Sequence, residues 1–226
     1  MSPGASMKAA ATVGIPVAVG ILAVAVGLWL GADWAEQRRA GTKPVAVQLQ
    51  AGTALPQPRP LARFVLTDQD GSEMTEASLR GNWTFAAIGY TTCPDVCPMT
   101  MGTFVALQKQ LGGTAAGQEP QFLLLSVDPE RDTPERLSQY VRHFHPSFRG
   151  ATGSTDALAA LTRDLGGIYA RVEDPNSALG YTMDHSASIY LIDPDARLTA
   201  IFSAPHDPTT IARDYATLIR TSVPKT

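Results

Sequence analysis

Two stretches, "NWTFAAIGY" (Asn82 to Tyr90) and "QFLLLSVD" (Gln121 to Asp128), most restrict what this chain can become. Each is a nearly unbroken apolar run of strand length, the pattern of a strand buried on both faces. Between them, "PMTMGTFVALQKQL" carries apolar residues at Met101, Phe104, Val105 and Leu107 and stops at Gly112 and Gly113. That spacing predicts a helix over 98–111 with one buried face.

The alternation continues downstream. "VDPERDTPERLSQYVRHF" reads as a turn and then a helix entered near Thr133, with Pro134 at its first position. "SFRGATGS" reads as a short strand, and Thr155 to Leu165 as a helix ended by Gly166 and Gly167. "IYARVE" is a strand, "SIYLIDPDARLTAIFSA" a hairpin around Pro194 to Ala196, and Pro208 to Thr221 a last helix capped by Asp207. Upstream, "ARFVLTDQDGSEMT" is a strand entering a turn at Asp70 and Gly71. Strands alternating with helices of about a dozen residues mean an α/β fold, with the hairpin supplying an antiparallel edge. Element order points to a thioredoxin-like fold, a central mixed sheet flanked by helices, over residues 61–226.

The N-terminus has another character. Ala9 to Ala32 runs without a charge, long enough to cross the hydrocarbon core as a helix, with Trp29 and Trp34 where an interfacial belt falls. Residues 1–35 are expected to form an N-terminal transmembrane helix that acts as a membrane anchor. A cleaved signal peptide is the competing reading, disfavoured by the length of the run and the lack of a small-x-small exit. Residues 36–60, rich in Ala, Gly, Gln and Pro and without periodicity, read as a flexible tether. A net charge of −3, with Lys and Arg scattered, gives no electrostatic footprint for nucleic acid.

Cys93 and Cys97, the only cysteines, lie in "TTCPDVCP". A bridge closing so short a loop stabilises by roughly 2 kcal/mol and ties nothing distant, so a structural staple is a poor explanation. A thiolate at a helix N-terminus, by contrast, is stabilised by unpaired N–H groups and the helix dipole. Pro98 fits best as the first helical residue, which makes Cys97 the residue before the helix. The pair is then a redox-active couple that can close to a reversible disulfide, or a soft-metal site needing at least a third ligand.

Among four histidines, His143, His145 and His206 suit solvated or capping positions, while His185 in "GYTMDHSASIYLID" stands just before the hairpin strand. In a thioredoxin-like sheet the loop entering that strand packs beside the cysteine turn, with Ala187 about where a cis-proline usually stands. Cys93, Cys97 and His185 are therefore the candidate site. Asp95 is read mainly as a turn cap, Asp184 as a candidate acceptor orienting His185, and Asp128 and Asp132 as turn and cap contacts. Met99 and Met101 are read as core rather than ligands.

"TTCPDVCP", "VDPERDTPE" and "DHSASIYLIDPDARL" together resemble the three signature blocks of the Sco/SenC family, copper-binding proteins that assist assembly of cytochrome c oxidase. The resemblance implies one copper ion per chain, Cu(I) or Cu(II), held by Cys93, Cys97 and His185. It implies delivery of copper to, or reduction of the cysteines of, the binuclear copper centre in oxidase subunit II, with an upstream copper donor protein. It also implies a single-pass protein of the bacterial inner membrane with its domain in the periplasm, or the mitochondrial equivalent facing the intermembrane space. That orientation overrides a slight Lys/Arg excess at Arg38, Arg39 and Lys43. A metal-independent membrane-anchored thiol-disulfide oxidoreductase, a peroxidase and a copper sensor are the alternatives.

Overall fold

The computed structural model describes residue 29, residues 47–113, 119–175, 177 and 180–222. Its strands are β1 Gly52–Pro60, β2 Val65–Asp68, β3 Glu73–Thr75, β4 Thr84–Gly89, β5 Gln121–Ser126, β6 Arg149–Thr152, β7 Tyr169–Glu173, β8 Tyr181–His185, β9 Ile189–Ile192 and β10 Arg197–Phe202. Its helices are α1 Val96–Leu111, α2 Pro134–Phe144, α3 Thr155–Leu165 and α4 Pro208–Ser222. Eight strands form one mixed sheet in the order β1-β10-β9-β4-β5-β6-β2-β3, and β7 pairs with β8 alone. Among the described residues only β4 with β5 and β5 with β6 run parallel.

The two apolar runs occupy the sheet centre, and each serves both faces because successive side chains point opposite ways. Phe85, Ala87, Phe122 and Leu124 face a layer built with Phe104 and Leu107 of α1, Leu137 and Val141 of α2, and Ile211 and Tyr215 of α4. Ala86, Ile88, Leu123 and Leu125 face the other way, against Leu158, Leu161 and Leu165 of α3. Phe122 lies 5.5 Å from Phe85 and 5.1 Å from both Phe104 and Phe148, ring centre to ring centre, which joins sheet and helices through one aromatic cluster.

Helix caps match the sequence closely. Thr133 caps α2 by accepting from the Arg136 N–H, Ser154 caps α3, and Asp207 accepts from the Thr210 N–H at the start of α4. Gly166 closes α3 in the left-handed conformation at φ 80°, a region open to glycine without steric cost.

Three expectations differ from the structure. The tether reading does not hold for Gly52–Pro60, which is the edge strand β1, paired antiparallel with β10. Pro56, Pro58 and Pro60 hide it, since proline removes ladder hydrogen bonds and is tolerated only at an edge or bulge. The register shift between Ala54 and Arg59 absorbs two of them. Before β1, the Asp214 carboxylate of α4 accepts from the N–H groups of Gln50 and Ala51 at 2.7–3.0 Å. Second, α1 begins at Val96, so Cys97 lies inside its first turn and Pro98 is the third helical residue, not the first. The N–H groups from the N-cap through the third helical residue have no intrahelical partner, so proline is tolerated at position 98. Third, "YTMDH" is the strand β8, not a loop.

Among the described residues no helix is long and apolar enough to cross a membrane. The expected span, apart from Trp29, lies outside the described residues.

Candidate metal centre

Because β4 and β5 are parallel, the segments that follow them emerge at the same sheet edge. The Val127 N–H donates to the Gly89 carbonyl at 3.0 Å, joining the two exits. The cysteine turn follows β4, and "VDPERD" follows β5. Asp132 is fully buried and holds the two together. Its carboxylate accepts from the Thr91 N–H at 2.9 Å, the Thr91 hydroxyl at 2.6 Å and the Ser126 hydroxyl at 2.6 Å.

The β7–β8 hairpin brings the histidine from the other side. Tyr181 and Met183 of β8 are buried while Thr182 and Asp184 turn away, and strand alternation puts His185 on the buried face. Its Nε2 lies 3.3 Å from Cys97 Sγ. Its Nδ1 lies 3.2 Å from the Ser186 carbonyl, an acceptor that orients the ring with Nε2 toward the sulfurs. Asp184, the candidate for orienting the ring, is exposed on the opposite side of the strand, and the Ser186 carbonyl takes that role. Tyr90 meets His185 edge to face, with ring centres 5.9 Å apart.

Both cysteines are free, Cys97 buried and Cys93 half-buried. Asp95 stands at the N-cap of α1 but makes no side-chain cap bond. The sulfur of Cys93 replaces it, accepting from the Cys97 N–H at 3.4 Å. A hydrogen bond from the Cys97 thiol, together with others from His185 and the Asp95 and Cys97 backbone, outweighs burial and lowers the Cys93 thiol to about 3. The same thiol pair and burial push the Cys97 thiol up.

A lowered pKa means that Cys93 stays a thiolate as pH falls. Alkylation of the reduced, metal-free protein by iodoacetamide should change little between pH 5 and 8, whereas an ordinary thiol of pKa near 8.5 would slow by roughly a thousandfold. A rate climbing about tenfold per pH unit through that window contradicts the assignment.

Cys93, Cys97 and His185 could hold a metal ion, since one ligand atom from each lies within 4.8 Å of the others. Ligands bound at about 2.0–2.3 Å to a single ion stand roughly 3.6 Å apart, so small side-chain shifts would close the site. Met101 is buried in the core as expected, but Met99 is exposed. His145 contacts Ser147, and His206 is held at the Phe202 carbonyl, both apart from the site.

Several contributors to the site carry little or no signal in the sequence. Gly89 packs so closely that an added Cβ would sit 2.8 Å from Cys97 Sγ and 3.0 Å from Leu124 Cδ1. Gly89→Ala should displace the Cys97 sulfur and lower stability by about 1–3 kcal/mol, read by thermal denaturation beside metal titration. Unchanged stability and metal affinity would show that the contact relaxes freely. Asp128 is also more than a turn residue, accepting from the Tyr181 hydroxyl at 2.8 Å and pairing with Arg131. A glycine ending a buried strand just before a two-cysteine turn was the available signal for Gly89. Nothing local announces Arg131 or Tyr181.

Residues 53–220 match the family model described as SCO1/SenC. The chain belongs to the SCO1/SenC family. It is 35% identical to the mitochondrial SCO2 homolog of Bos taurus over 179 residues, 79% of this chain and 66% of that protein. It is also 35% identical to the mitochondrial SCO1 homolog 1 of Arabidopsis thaliana over 145 residues, 64% of this chain but only 42% of that protein. The structure of Arabidopsis thaliana ScoI with copper bound superposes with TM-score 0.67 at 32% identity, covering 71% of this chain and 98% of that one. Bradyrhizobium japonicum ScoI with copper bound gives 0.61 at 34% identity, covering 70% and 98%. The mixed sheet with flanking helices is thus that of SCO1/SenC proteins, and these two homologous structures carry copper.

Proposed function

We propose that the chain is a membrane-anchored copper chaperone in which Cys93, Cys97 and His185 hold one copper ion as cargo. The observation that carries this reading is the convergence of two sulfurs and an imidazole nitrogen from separate elements within 4.8 Å. Thiolates favour Cu(I) and imidazole adds affinity for Cu(II), so this donor set suits a carrier that meets copper in either state. The copper-bound relatives support that choice of metal. A half-buried Cys93 beside a buried Cys97 leaves one sulfur within reach of a partner.

The recipient in this reading is the binuclear copper centre of cytochrome c oxidase subunit II, loaded from an upstream donor protein. In this reading residues 9–32 are the anchor, and the domain faces the bacterial periplasm or the mitochondrial intermembrane space. Mixing copper-loaded protein with the copper-free, reduced subunit II domain tests this. Appearance of the binuclear-centre absorption supports transfer, and copper retained by the donor sinks it.

The second reading, a thiol-disulfide reductase, is favoured by the unequal thiols. The Cys93 thiolate would attack a partner disulfide, releasing one partner thiolate and leaving a mixed disulfide. The Cys97 thiol would lose its proton and displace the second partner thiolate, closing Cys93–Cys97 as the partner gains two electrons. Metal-free protein reducing oxidised subunit II, equally well in His185→Ala, would favour it.

A further inference from the structure

The cysteines belong to the main sheet and its helix, but His185 belongs to the separate β7–β8 hairpin. Whether the imidazole meets the sulfurs therefore depends on what holds the hairpin. The ring of Tyr181, first residue of β8, lies between two guanidinium groups, with Arg131 Cζ 3.8 Å and Arg171 Cζ 3.6 Å from its centroid. Its hydroxyl donates to Asp128, and the Arg131 Nη1 donates to its carbonyl at 3.2 Å. Arg131 also donates through Nε to Asp128, while Arg171 pairs with Glu130 at 2.9 Å. Both cations thus reach the ring from opposite partners, one on the segment after β5 and one on β7.

Arg131 is nearly buried and leaves Nη2 without a hydrogen-bond partner, a costly arrangement for a charged side chain. Its place is set by the Tyr181 ring and Asp128, not by full satisfaction of its donors. Tyr181 and His185 lie on the same face of β8, four residues apart. Any tilt or slip of the strand at Tyr181 is carried directly to the imidazole.

We propose that the Arg131–Tyr181–Arg171 stack is a positioning clamp that presents His185 to the metal, so that loosening it removes the histidine ligand while leaving the two thiolates in place. This rests on the copper reading above. Partners that orient a metal-binding histidine typically change affinity by about ten- to a hundredfold when lost, and the stack acts at one remove on such a residue. The expected effect on Cu(II) affinity is therefore about tenfold, consistent with a desolvated cation–π contact. Cu(I) affinity, carried by the sulfurs, stays near wild type.

The test titrates full-length protein in detergent with Cu(II), reading affinity and nitrogen hyperfine coupling by electron paramagnetic resonance, and with Cu(I), reading affinity by competition against a chelator. It compares wild type, His185→Ala, Tyr181→Leu, Tyr181→Phe and Arg171→Ala. Arg171 is an exposed residue, so its truncation leaves the fold intact should Tyr181→Leu fail to fold. The clamp predicts weakened or lost nitrogen coupling in Arg171→Ala and Tyr181→Leu, with rescue in Tyr181→Phe, which keeps the ring between the cations. Coupling that needs His185 but survives both Arg171→Ala and Tyr181→Leu overturns the clamp alone. Coupling and affinity indifferent to His185 itself overturn the copper site and the clamp together.

Discussion

A Cys97→Ser protein is expected to bind Cu(I) more than about a hundredfold more weakly than wild type. That figure is a lower bound, because loss of an outer partner of a ligand already costs about ten- to a hundredfold and a ligand itself contributes more. A serine hydroxyl is a hard donor that cannot replace a thiolate toward a soft ion. Cys97 Sγ also lies 3.3 Å from His185 Nε2, and its N–H and thiol both support the Cys93 thiolate. Losing that sulfur removes a ligand, while the backbone N–H and a serine hydroxyl can still donate to Cys93, so the Cys93 thiol should stay below its ordinary value. Competition against a Cu(I) chelator measures the first effect and the alkylation profile measures the second. Affinity within a few fold of wild type would mean that copper is held elsewhere.

Asp132→Ala is expected to produce the largest loss of stability. Its carboxylate is fully buried and receives three hydrogen bonds, one from the Thr91 backbone and two from the hydroxyls of Thr91 and Ser126. Truncation strands those donors away from water, at a cost of about 3 kcal/mol or more. For a domain of this size that lowers the melting temperature by about 10 °C. The damage is local to function as well, because Thr91 begins the cysteine turn. Copper affinity should fall with stability, and a melting temperature within about 2 °C of wild type would contradict the assignment. Asp132→Asn, which keeps an acceptor, should recover part of the loss.

The central strands and four helices were legible because their signals are local. "NWTFAAIGY" and "QFLLLSVD" announce burial on two faces, and Thr133, Ser154, Asp207 and Gly166 stand where the backbone needs caps. What escaped was set at a distance. Gly52–Pro60 looks like a linker by its prolines and becomes a strand only because β10 offers an edge. The alternation of Tyr181 and Met183 with Thr182 and Asp184 was present in the sequence, but a run of five residues after a glycine is too short to stand out. Sequence adjacency makes Asp184 a candidate to orient the imidazole, whereas strand geometry turns neighbours to opposite faces. The site residues Cys93, Cys97 and His185 were named from spacing and resemblance, and the structure brings them together. The Asp132 contacts, reaching back 41 residues to Thr91, leave no local trace. Neither does the two-sided stack on Tyr181.

The copper site itself is tested most directly by titrating full-length protein with Cu(II) and recording stoichiometry, thiolate-to-copper absorption and electron paramagnetic resonance, in wild type and His185→Ala. One copper per chain, with charge-transfer bands and nitrogen coupling that shift or vanish in the variant, is the predicted result. Substoichiometric copper in the wild type, or spectra indifferent to His185, would contradict the site and leave the metal-independent thiol reductase as the better account.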